Sequence, residues 1–131
     1  ALGSVGVFPI FGEFKRKDKY CQLCRGHFVG YEEKQTDVNI AIELLARAVN
    51  DLYDTAFIIS GDSDLLPAIR AVKKIFPQKT IKLVIPPNRN ADALKNEVHG
   101  YMRLKERHLK NNQFPETIFC NGLVIRKPDT W

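Results

Sequence analysis

The run Thr55-Ala56-Phe57-Ile58-Ile59 is apolar without alternation, and it breaks off at Ser60-Gly61-Asp62-Ser63-Asp64, where two carboxylates are separated by one residue. A short uninterrupted run rich in β-branched and aromatic residues is the pattern of a parallel strand covered on both faces. The chain is therefore constrained to α/β architecture from its middle outward. Gly61 frees the backbone to turn sharply where the strand ends. In open α/β sheets, ligands gather just beyond the carboxyl ends of strands, which puts Asp62 and Asp64 where chemistry is usually done. Their hard oxygen atoms suit Mg²⁺ or Mn²⁺ better than zinc. A competing explanation is local: Leu65-Leu66-Pro67-Ala68-Ile69 reads as a helix start with proline in its first turn, and Asp64 or Ser63 would serve as its N-cap. That explanation leaves Asp62 without a role. Two acids in one turn repel unless something positive, a cation or a helix N-terminus, lies between them.

The flanking sequence supplies the helices such a sheet needs. A short extended piece is expected at Val5 to Ile10. Further on, Thr36 is placed to cap an amphipathic helix from Asp37 to Leu52, whose stripe at Ile40, Ala41, Leu44, Leu45 and Ala48 faces a core. Asp37 heads that stripe, either aimed inward at a site or simply stabilising the first turn through the helix dipole. A helix from Ser63 to Phe76 is closed by Pro77, and Thr80 to Ile85 forms a second buried strand ending in the rigid loop Pro86-Pro87-Asn88-Arg89-Asn90. A helix at Asp92 to Val98, a break at Gly100, a short strand at Tyr101 to Leu104 and a basic helix from Lys105 follow. Ile118-Phe119-Cys120 and Leu123-Val124-Ile125 flank Asn121-Gly122, a strong hairpin signal, within a C-terminal hairpin and tail over 113–131. Strands alternating with helices imply right-handed crossovers and a mostly parallel sheet. On its rim, Asp37, Asp62 and Asp64 converge from distant parts of the chain.

The 131 residues suffice for a single domain with a real core, and 44% hydrophobic with 27% charged residues is an ordinary globular balance. No apolar run approaches the roughly 20 residues of a membrane span, and the first residues lack a signal peptide's pattern. Three cysteines without a secreted-scaffold spacing fit a reducing compartment, so a cytoplasmic location is expected. The net charge of +5 is unevenly spread, with clusters at Lys15-Arg16-Lys17, Lys19, Arg25, Lys34 and Lys73-Lys74, and again from Arg103 to Lys110. A basic field around an acidic site suits a polyanion, although each cluster alone is equally a solvated face.

Residues 11–31 read as a basic hairpin arm. Phe14, Tyr20, Phe28 and Tyr31 alternate in it with cations, which suits either stacking on single-stranded RNA or packing of the hairpin against a core. Cys21 and Cys24, with His27 after them, have the spacing of half a zinc site, the alternative being a tight turn with two reduced thiols.

Two of these segments carry a family resemblance. Glu32-Glu33-Lys34-Gln35-Thr36-Asp37-Val38-Asn39-Ile40-Ala41, followed by Tyr53-Asp54-Thr55-Ala56-Phe57-Ile58-Ile59-Ser60-Gly61-Asp62-Ser63-Asp64-Leu65-Leu66-Pro67, resembles the NYN domain family, in its LabA-like branch of the PIN-like nucleases. Pro86-Pro87-Asn88-Arg89 and Leu94-Lys95 match the same pattern, and the resemblance runs from about Phe8 to Leu104. It implies a Rossmann-like, PIN-like three-layer sandwich and metal-dependent cleavage of RNA. Asp37, Asp62 and Asp64 would line a Mg²⁺ or Mn²⁺ site, with Asp64 orienting the attacking water and with Asn39 and Ser60 in support. Lys15, Arg16, Lys17, Arg25, Lys34, Asn88, Arg89 and Lys95 would contact RNA. The family begins with a strand ending in an acid, and no such segment precedes Val5. A domain over 1–131 would then be N-terminally incomplete, with exposed sheet edges that favour homo-oligomers or association with the absent segment. The alternative function is a catalytically inactive module of the same fold that binds RNA or protein.

Overall fold

The structure, a computed structural model, describes residues 1–120 and 122–129. A 3-10 turn at Leu2–Val5 leads to a hairpin of β1 (Glu13–Tyr20) and β2 (His27–Lys34), then α1 (Thr36–Val49) and β3 (Thr55–Ile59). A second 3-10 turn, Ser63–Leu65, runs into α2 (Leu66–Ile75). β4 (Thr80–Ile85), α3 (Asp92–Lys95), β5 (Gly100–Arg103) and α4 (Glu106–Asn111) follow, and β6 (Thr117–Cys120) with β7 (Leu123–Arg126) ends the chain. β3 and β4 have the bounds their apolar runs predict. The C-terminal hairpin also forms, with Gly122 at φ 76°, while the Asn121 half of its turn lies outside the described residues. Residues 7–12, expected to be extended from Val5, carry no regular structure.

β3, β4 and β5 pair in that order into a parallel sheet, with Ile58 opposite Leu83 and Val84 opposite Met102. Neighbours across parallel strands share a face, so Ile58, Ile81, Leu83 and Ile85 point together. They meet Leu44 and Ala48 of α1, Ile69 and Val72 of α2, and Leu65 and Leu94, forming one core. Removing one of the fully buried members, such as Ile69 or Leu83, would cost about 2–5 kcal/mol. The Tyr53 hydroxyl donates to the Leu44 carbonyl at 3.0 Å and ties the end of α1 to the strand it feeds.

The other face of the sheet is open. Phe57 is 61% and Ile59 64% exposed, and Lys82 lies over the Phe57 ring at 5.6 Å. This corrects the reading of β3 as covered on both faces. The strand has a hydrogen-bonded neighbour on one side only, and both long helices occupy the same face, so the described residues build two of the three layers expected. Beside the free edge of β3, Phe8 and Ile10 line a cavity of about 500 Å³ with Ile40, Leu44, Ala56 and Ile58.

Local details also depart from the sequence reading, and α3 ends at Lys95 instead of Val98. Thr36 is the first residue of α1 rather than its cap, and Gln35 before it takes a left-handed φ of 79°. The Thr36 N–H donates at 3.1 Å to Glu33 Oε1, which also takes the Thr36 hydroxyl hydrogen bond, so a carboxylate from β2 satisfies the free N-terminal donor. α1 then stops at Val49, where Asn50 turns its amide back to the Ala46 carbonyl at 2.8 Å.

Among the described residues, Lys79 is the one charged residue that is buried, its side chain 2% exposed. Its ammonium pairs with Asp51, lies 3.9 Å from Asp54 and sits 5.6 Å from the centre of the Tyr53 ring. Removing both acids strands a buried cation, whereas removing the lysine leaves only exposed carboxylates. Asp51→Ala with Asp54→Ala should therefore destabilise more than Lys79→Met does, in urea unfolding.

Candidate metal centre

The carboxyl end of β3 and the amino end of α1 open on the same rim because both are anchored on the core face of the sheet. One ligand oxygen from each of Asp37, Asp62 and Asp64 lies within 4.8 Å of the others. Among the described residues this is the only such group of three or more histidine, cysteine or acidic side chains. Asp62 and Asp64 are exposed, and Asp37 is partly shielded.

Asp62 has a second task. Its Oδ1 accepts the Asp64 N–H at 2.9 Å, so Asp62, rather than Ser63 or Asp64, is the cap of the 3-10 turn that opens α2. Ser60 Oγ accepts the Asp62 N–H at 3.0 Å and holds the backbone that presents this carboxylate. One oxygen of Asp62 is thereby oriented by the chain and the other left for a ligand. Capping and cation binding, rivals in the sequence, coexist in one side chain.

Gly61 allows the loop after β4 to approach. A Cβ at this position would lie 3.0 Å from Arg89 Cβ, a spacing that would force Arg89 to give way. Arg89 and Pro86 line a cavity of about 540 Å³ with Asp37, Asp62, Ser60 and Gly61. Arg89, an exposed residue, thus lines the same cavity as Asp37 and Asp62, and its carbonyl accepts from Arg103 Nη1 at 3.1 Å. Asn88, just before it, holds a left-handed φ of 58°.

The remaining candidates fall elsewhere. Asn39 is two residues from Asp37 and so lies on a different face of α1, where its amide donates to the Phe11 carbonyl at 3.3 Å. Lys95 is held by Asp92 at 2.6 Å and lies over the Tyr101 ring at 5.5 Å. Lys17 and Lys34 pair with Glu32 at 2.9 and 3.5 Å, which holds the Glu32 carboxyl below its usual range, mainly through the Lys17 hydrogen bond. Lys15 lies 3.7 Å from Glu13 and Arg16 3.8 Å from Asp18. Exposed pairs of this kind are worth little and open readily. Arg25 has φ 56° at the hairpin tip. Cys21 and Cys24 share that turn as free thiols with no third zinc ligand in reach among the described residues, and the Cys21 thiol is lowered chiefly by hydrogen bonding around Cys24. His27 instead packs against the Tyr20 ring at 5.1 Å. His99 and His108 each accept a backbone N–H, from Ile81 at 3.0 Å and Lys105 at 3.2 Å.

The NYN domain family model matches residues 10–105. The chain belongs to the NYN domain family. Its parallel sheet and carboxylate cluster are those of a nuclease-like NYN fold. Among curated proteins, it is 26% identical over 105 residues to the 6-hydroxy-3-succinoylpyridine 3-monooxygenase HspA of Pseudomonas putida (strain DSM 28022 / S16). The match covers 76% of this NYN chain and 33% of that protein, so the chain spans about a third of the relative's length. No solved structure matches. Among the described residues, no helix is long and apolar enough to cross a membrane.

The site's electrostatics are set by Asp37. Partial burial pushes its carboxyl above the usual range, and the charges of Asp62, Glu33 and Asp64 push it further. Glu33, four residues before Asp37, is a contributor that sequence reasoning did not single out. Because the folded pKa exceeds the unfolded one, the proton-bound form is favoured by folding. That contribution is complete below pH ~4 and lost as pH rises through the folded value. Asp37→Asn should consequently raise the metal-free melting temperature at neutral pH, with the gain shrinking toward pH 4, as read by thermal scans across that range.

Proposed function

We propose that this domain is a metal-dependent ribonuclease that hydrolyses phosphodiester bonds of RNA, in the LabA-like branch of its family. The observation that carries the reading is the cluster of three carboxylates on the strand-end rim beside Arg89. All three donors are hard oxygens, and their mutual repulsion is what a divalent cation relieves. Asp37, Asp62 and Asp64 would hold Mg²⁺ or Mn²⁺. Bound there, such an ion supplies an activated water and charge for the departing oxygen.

The chain's own residues do the rest. Asp62 is kept in position by Ser60 and by its hydrogen bond to Asp64, so little reorganisation is needed on binding. Arg89 offers a fork for the non-bridging phosphate oxygens beside the carboxylates. Asp64, whose side chain takes no hydrogen bond in the turn, is free to orient the water. Lys15, Arg16, Lys17, Arg25 and Lys34 of the hairpin, with Asn88 beside Arg89, would hold the flanking backbone, and Lys95 would join them only by leaving Asp92. The Pseudomonas relative is named for a monooxygenase activity, and only about a third of its length is shared with this chain.

The test is cleavage of labelled RNA by the longest natural form of the protein with Mn²⁺ or Mg²⁺. Asp62→Asn should lower the rate by more than the ~10- to 100-fold that losing a supporting group costs a metal site. A wild type that leaves RNA intact, or a variant that cuts as fast, contradicts the reading. RNA binding without cleavage would favour the inactive-module alternative.

A further inference from the structure

The hairpin is two-faced, and the register of its strands shows how. Phe14 pairs with Glu33, Arg16 with Tyr31, Asp18 with Val29 and Tyr20 with His27, so these residues occupy one face. The alternate pairs put Phe28 and four lysines on the other, Lys17, Lys19 and Lys34 gathered around Glu32 and Lys15 beside Glu13. Among the described residues nothing covers the ring face beyond the Tyr20–His27 contact: Phe14 is 71% and Tyr31 66% exposed, and Tyr20 is exposed as well. Of the two uses the sequence allows for these rings, packing against a core is therefore not the one adopted. Contiguous exposed rings on a soluble domain mark a recognition surface.

The charge around the rings indicates what they recognise. The two strands and their turn carry six lysines and arginines against four carboxylates, and the ring face itself holds Arg16 with Asp18 and Glu33. Arg16 stands among the rings, and its 3.8 Å pair with Asp18 is exposed on both sides. Rings flanking a loosely held arginine, with lysines on the reverse of the same two strands, fit an anionic backbone bearing flat bases, whereas a protein partner would more often meet an apolar patch depleted of charge at its centre. The face also leads toward the carboxylates. Glu33 ends it and accepts the N–H of Thr36, the residue before Asp37. From Tyr31 to Asp37 the chain spans at most about 20 Å.

We infer that the Phe14, Arg16 and Tyr31 face of the hairpin is a stacking platform for single-stranded RNA, feeding the strand toward the Asp37, Asp62 and Asp64 rim. The inference rests on the ribonuclease reading for its substrate class but not on cleavage itself. Phe14 and Tyr31 stack on bases, Arg16 holds the intervening phosphate, and the lysines of the opposite face raise the local concentration of the polyanion.

The experiment is fluorescence anisotropy of the full chain with a short labelled single-stranded RNA in EDTA, where no cutting occurs. Phe14→Ala and Tyr31→Ala should each weaken binding about 5- to 150-fold while leaving the dependence on salt unchanged. Phe14→Trp and Tyr31→Phe should keep wild-type affinity, which separates stacking from a folding defect. Arg16→Gln should reduce the slope of log affinity against log salt by about 0.7. An oligonucleotide of the same length without bases should bind weakly and show no dependence on the rings. Alanine variants that bind like wild type, or a duplex bound as tightly and with the same ring dependence, would overturn the inference. So would a wild type that ignores RNA but loses self-association on ring removal. Ring-dependent binding without cleavage sinks only the nuclease reading, and cleavage without ring dependence sinks only the platform.

Discussion

Three negative charges are held where, without a counterion, they repel one another, and much of the architecture exists to keep them there. Parallel pairing of β3 with β4 fixes where the Asp62 turn emerges, and packing of α1 and α2 against Ile58, Ile81, Leu83 and Ile85 fixes where Asp37 meets it. The cost appears in the raised proton affinity of Asp37. Burial of apolar side chains at about 25 cal/mol per Å² readily outweighs repulsion between partly solvated carboxylates. The cluster is thus affordable to the fold while still unfavourable as an isolated group of charges, which is the condition for binding a cation.

The turn after β3 shows how function is layered on local structure. Asp62 caps a helix entry, Ser60 steadies Asp62, and Gly61 makes room for Arg89. Each of these is an ordinary requirement of a strand-to-helix connection. Together they leave one oriented carboxylate and one cation side by side, so little extra machinery is needed for a phosphate site. The hairpin extends the same economy: Glu33 ends a strand, caps α1 and adds to the field at Asp37.

What could be read from the sequence was whatever depends on short-range pattern. The apolar runs at Thr55 to Ile59 and Thr80 to Ile85 gave strands with those ends, and the aromatic and basic alternation gave the arm. The convergence of Asp37 with Asp62 and Asp64 followed from helix periodicity joined to parallel topology. What could not be read depends on neighbours distant in the chain. Periodicity cannot reveal that Lys79 is buried between Asp51, Asp54 and Tyr53, or that Glu33 replaces Thr36 as the cap. Asn39 is similar: its spacing from Asp37 already places it on another face of α1, but only the fold shows Phe11 as its partner.

The central claim is that Asp37, Asp62 and Asp64 form one divalent-cation site, and cation-dependent thermal stabilisation tests it most directly. Because a ligand that binds only the folded state stabilises it by mass action, Mn²⁺ at about 100 times its dissociation constant should add about 2.7 kcal/mol to the wild type. Asp37→Asn or Asp62→Asn should abolish most of that gain. A wild type whose melting temperature ignores Mn²⁺ and Mg²⁺, or variants stabilised as much as the wild type, would contradict the account.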